Sequence, residues 1–130
     1  VKGMVGVLDI LEHGGSLVIV SECRGGLGSS EFAEAQRSLI CLGPDRFLEE
    51  LLKKSSASID EWQSEMLVKA MKTANIYLYS EGLTDDQRAL TAIHSIASPS
   101  KAIADSVRTH ADSHIAVVPE GPYVIPLYCG

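Results

Sequence analysis

Three short apolar bursts, Leu17 to Val20, Ile76 to Tyr79 and Ile115 to Val118, constrain this chain more than any other feature. Each follows a helical segment through a small or polar junction, and each is apolar at successive positions and rich in β-branched or aromatic residues. That is the pattern of strands covered on both faces in a parallel sheet, not of strands with one wet face. Parallel neighbours need crossover helices, and the segments between the bursts supply them. Ser58-Ile59-Asp60-Glu61 and Thr84-Asp85-Asp86-Gln87 read as capping boxes, and Ser98-Pro99 puts proline at a first helical position. Met4, Val7, Leu8 and Leu11 mark an opening helix that ends at Gly14-Gly15. Later stripes are Phe32, Ala35 and Leu39; Phe47, Leu48, Leu51 and Leu52; Trp62, Met66, Ala70 and Ala74; and Ile103 with Val107.

The resulting order is α-β-α-α-α-β-α-α-β, with Ala92 to Ile96 as a further short strand. The expected fold class is α/β: a Rossmann-like, open, mostly parallel sheet of three to four strands flanked by helices, linked by right-handed crossovers. The expected organisation is one domain over residues 1–130. Because the chain opens at Val1 inside an apolar-periodic segment, it reads as part of a longer protein. The tail from Gly121 to Gly130, with two prolines and no period, reads as extended and in need of a neighbour to bury Tyr123, Ile125 and Leu127.

Composition excludes several roles. Eleven basic against seventeen acidic residues give a net charge of -6, and without a Lys/Arg cluster there is no electrostatic basis for gripping a phosphate backbone. Nucleic acid is therefore not an expected partner. Wholly apolar runs reach only four or five residues, against roughly 20 needed to span a bilayer, so no membrane partner is expected. Cys23, Cys41 and Cys129 are odd in number and lack C-x-x-C spacing. They fit reduced thiols in a cytoplasm better than a disulfide framework or structural zinc.

In open parallel sheets ligands gather beyond the carboxyl ends of the strands, so the loops there carry any chemistry. The first, Ser21 to Ser30, runs strand, glycines, serines, helix. Arg24, Gly25, Gly26, Gly28 and Ser29 are its candidates for holding an anion at a helix amino end. It matches neither G-x-G-x-x-G nor the P-loop, and tight turns with a serine cap explain the same residues. Glu22, Glu81 and Glu120 follow the three strands; a hard cation could use them, and solvation explains them equally. His110 and His114 have helical metal-pair spacing, but Asp112-Ser113 ends the helix between them. No histidine pairs with a nucleophile and an orienting carboxylate, so no catalytic residue and no metal ligand is assigned. Trp62 opens a capped helix, where it serves either as a core anchor or as a ring closing over a ligand.

Gly14-Gly15-Ser-Leu-Val-Ile-Val-Ser-Glu22-Cys23-Arg24-Gly25-Gly26-Leu27-Gly28, followed by Phe32, resembles the carboxy-terminal domain of the nickel-pincer-dependent lactate racemase family. Later landmarks in the same order are Asp60-Glu61-Trp62-Gln63, Asn75 to Leu83, Ser98 to Ala102, Val118-Pro119-Glu120-Gly121 and Val124-Ile125-Pro126. The resemblance implies a two-domain protein that interconverts 2-hydroxy acid stereoisomers. Hydride passes from the 2-carbon to a nickel pincer and returns to the other face, with histidines serving the hydroxyl. It also implies that the pincer lysine, the nickel ligand and the catalytic histidines lie in an amino-terminal domain, which is the expected partner, so this chain binds no cofactor itself and is inert alone. Two residues match family substrate-side positions. Lys2 would face the substrate carboxylate as a point charge, and Trp62 would approach the site from this domain. The alternatives from the residues alone are a nucleotide-binding module using Gly25 to Ser30, and a non-catalytic interaction domain working through the apolar tail.

Overall fold

The computed structural model describes residues 1–127. Its elements run helix α1 (Lys2–Val5), a 3-10 turn (Leu8–Ile10), strand β1 (Ser16–Val20), α2 (Ser30–Leu42), α3 (Pro44–Leu52), α4 (Glu61–Thr73), β2 (Asn75–Tyr79), α5 (Asp85–Ala89), β3 (His94–Ser95), α6 (Pro99–His110) and a second 3-10 turn (Gly121–Tyr123). The three strands form one parallel sheet in the order β1-β2-β3, with Leu17 opposite Ile76, Ile19 opposite Leu78 and Leu78 opposite Ser95. The expected open α/β sheet is therefore present.

Alternation along the strands divides the sheet into two unlike faces. Ile76, joined by Leu17 and Ile19, packs into a core with Met4, Leu39, Phe47, Leu67, Val68 and Ala70 from α1 to α4. On the opposite face Ser16, Asn75 and Tyr77 meet α6 across a cleft of about 500 Å³. The α6 helix has no fully buried residue, and Val20 is 65% exposed, so the second face is only partly covered.

Several expectations are corrected. Ile115 to Val118 is not a strand: it has no ladder partner among the described residues, and Val117 is 82% exposed. The third strand is instead the short Ala92 to Ile96 stretch, because α5 is a single turn that returns the chain at once to the edge of β2. The opening helix breaks in two at Gly6, where a Cβ would stand 3.0 Å from the Gly121 carbonyl and 3.2 Å from that of Val124. The chain needs glycine there because the 3-10 turn of the tail lies directly against α1. That turn also means the tail is not extended throughout; its residues 128–130, Cys129 among them, lie outside the described residues.

The buried stripe of α4 is Ser64, Leu67, Val68 and Ala70, while Trp62 is 48% exposed and is not a core anchor. Ser64 is buried because it accepts a hydrogen bond from Gln36 Nε2 at 3.0 Å, a polar pairing that apolar periodicity does not reveal. Leu52 falls outside its stripe at 86% exposed.

Candidate functional site

The carboxyl ends of the strands define a rim, and topology decides what stands on it. A helix that follows a parallel strand starts at this rim, and so does a helix that runs down into the next strand. The first turns of α2 and α4 therefore stand together, 31 residues apart in sequence. Ser29 caps α2 by accepting from the Phe32 N–H at 3.1 Å. Its hydroxyl donates in turn to Asp60 Oδ2 at 2.6 Å.

Asp60, not Ser58, is the residue before α4, and it differs from an ordinary cap. Its backbone is left-handed, with φ 61°, and its side chain accepts nothing from the α4 backbone. The sequence-predicted capping box is half formed: Glu61 accepts from the Ser58 N–H at 2.8 Å, but the Ser58 hydroxyl accepts from Lys54 Nζ, which also pairs with Glu61. The second carboxylate oxygen of Asp60 accepts from Gln63 Nε2 at 2.7 Å. These bonds from Ser29 and Gln63 hold the Asp60 carboxyl below its ordinary range, and the nearby charge of Lys2 adds to the effect.

Of the two substrate-side candidates, Lys2 is close enough for its charge to act on Asp60, and Trp62 lies two positions on in the same helix start. Lys2 is exposed on α1, which packs against α4, and Trp62 follows Asp60 by two positions in the first turn of α4. No local signal sets Asp60 or Gln63 apart within the run Asp60-Glu61-Trp62-Gln63.

The glycine loop is arranged differently from an anion cradle. The Gly26 N–H donates to the Cys23 carbonyl at 2.9 Å, and Arg24 pairs with Glu22 at 2.7 Å on the surface. Gly26 has φ 66° and a Cβ there would lie 2.7 Å from Gln87 Nε2; Gly25 and Gly28 face open space. Ser29 alone of the loop candidates joins the rim cluster. Beneath the loop lies a small cavity of about 120 Å³ bordered by Cys23, Gly26, Phe32, Gln36, Leu78 and Thr91, among others.

The acidic and histidine candidates stay apart. Glu81 accepts from the Tyr79 hydroxyl at 2.6 Å, a bond that raises the phenol pKa, while Glu22 is held by Arg24. His110 ends α6 against Ser16 Oγ at 3.3 Å, and His114 pairs with Asp112 at 2.7 Å beyond it. Among the described residues no three His, Cys, Asp or Glu side chains are grouped to hold a metal ion. Likewise no helix among them is long and apolar enough to cross a membrane.

A sequence model of the family described as the lactate racemase C-terminal domain matches residues 1–126. Among solved structures, the lactate racemase apoprotein from Thermoanaerobacterium thermosaccharolyticum is similar, with a TM-score of 0.81 and 20% sequence identity over 95% of this chain. This chain covers 30% of that one, and the likeness at this identity concerns the fold. No curated protein matches the sequence.

Proposed function

Since this chain belongs to the lactate racemase C-terminal domain family, we propose that it forms one wall of an interdomain site holding a small 2-hydroxy acid, in a protein that racemises or epimerises that acid. The observation that supports this reading is that the charge of Lys2 reaches Asp60, the residue before α4, while the half-exposed Trp62 stands in the first turn of that same helix at the strand-exit rim. The Lys2 ammonium offers a compact positive charge to a substrate carboxylate. The half-exposed Trp62 ring offers an apolar lid that excludes water from it.

The nickel pincer that the family resemblance implies belongs, in this reading, to the amino-terminal domain. This domain's part is to bind and orient the substrate. The wall's partner in this reading is an amino-terminal domain of the same protein. Support comes from the exposed apolar side chains of Tyr123, Ile125 and Leu127, which lie in and just beyond the turn packed on α1. The cysteine usage supports a cytoplasmic location in the same reading.

The test uses the full-length protein loaded with its cofactor. Trp62→Ala and Lys2→Ala should each lower kcat/KM for a 2-hydroxy acid by about tenfold or more, with circular dichroism unchanged. The 130-residue chain alone should show no turnover. Full activity in both variants would overturn the assignment.

A further inference from the structure

We propose that Asp60 is a positioning residue whose carboxylate holds the first turn of α4, and thereby fixes where the Trp62 ring stands on the rim. The proposal rests on the reading above that Trp62 faces the substrate.

Two features set Asp60 apart from a helix cap. A cap has extended backbone and accepts from backbone N–H groups of its own helix, whereas Asp60 is left-handed and its side chain accepts from no backbone N–H of α4. Left-handed backbone is disfavoured for a residue with a Cβ, and such strain persists only where the surroundings hold it. Here the surroundings are explicit: Ser29 Oγ holds one carboxylate oxygen from α2, and Gln63 Nε2 holds the other from within α4. Trp62 lies between the two anchored positions, 60 and 63. The direction of a helical side chain follows the path of its own backbone, so fixing residues 60 and 63 fixes the bearing of a ring that the core does not grip.

Trp62 is the only tryptophan, so the fluorescence of this chain reports that ring alone. Asp60→Gly keeps a residue suited to φ 61° but removes the carboxylate; Asp60→Asn keeps an acceptor and tolerates the turn. The expected result is a fall in Trp62 anisotropy and a rise in its acrylamide quenching in Asp60→Gly and Asp60→Ala, with Asp60→Asn close to the parent. In the loaded full-length protein, KM for the 2-hydroxy acid should rise about tenfold in Asp60→Gly and return toward the parent value in Asp60→Asn. Unchanged anisotropy and quenching in folded Asp60→Gly would overturn the proposal, even if Trp62→Ala impairs racemisation. Loosening of the ring in Asp60→Gly while Trp62→Ala leaves racemisation intact would support the positioning role and overturn the substrate reading instead.

Discussion

The Ser29 hydroxyl donates to the Asp60 carboxylate across 2.6 Å while it accepts from the Phe32 N–H, so one oxygen both caps α2 and ties it to the start of α4. Ser29→Ala removes both bonds. A lost N-cap costs roughly 0.5–2 kcal/mol, and a loss in that range is expected in urea unfolding. A change below about 0.5 kcal/mol would show that neither bond bears on stability.

Asp60 also sets a pH dependence. Its carboxyl is held below its ordinary value near 3.8 by the bonds from Ser29 and Gln63. Folding therefore gains from the ionised form. That stability is fully present above the ordinary value and is lost as pH falls through the lower folded value. Asp60→Asn should flatten the acid limb of a stability-versus-pH curve relative to the parent, and superimposable limbs would contradict the linkage.

Gly82 is packed against backbone. A Cβ there would lie 2.1 Å from the Glu22 carbonyl oxygen, which the Gly82 N–H already meets at 3.0 Å. Because the obstacle is main chain, Gly82→Ala should destabilise by about 1–3 kcal/mol. Gly25, with nothing within 4 Å, is the control, and Gly25→Ala should stay within about 0.5 kcal/mol. Equal thermal midpoints for the two variants would refute the contrast.

The buried pair Gln36 and Ser64 invites a double-mutant cycle. Gln36 Nε2 donates to Ser64 Oγ, while Gln36 Oε1 is buried with no partner. Ser64→Ala strips the amide of its remaining bond and should cost about 1–3 kcal/mol. Gln36→Leu combined with Ser64→Ala removes every orphaned group and should lie nearer the parent than Ser64→Ala does. Strictly additive losses would show that the two side chains do not act as a pair.

Where a signal is local, the sequence carried it. Thr84 forms the full capping box with Gln87, Ser98 caps α6 ahead of Pro99, and Leu17 to Val20 and Ile76 to Tyr79 pair in parallel as read. Each depends on residues within a few positions, or on burial that β-branched side chains announce. Ile115 to Val118 has the same composition as those strands but no ladder partner among the described residues, because composition records competence to pair and not the presence of an edge to pair with.

The rim was legible only in pieces. Lys2, Ser29 and Trp62 could each be named, but the residue that links them could not. Ser58 carries the stronger capping signal, and the left-handed turn at Asp60 exists because two other side chains hold it. The amino-acid order alone thus determined an α/β chain, two of its parallel strands and the starts of its well-capped helices, since these follow from propensity and short-range hydrogen bonding. Tertiary structure decided that α2 and α4 begin side by side, that Trp62 stands outward instead of in the core, and that Asp60 joins them. Such contacts span 31 residues from Ser29 to Asp60, and they form only after the chain has paid the entropy of closing that loop.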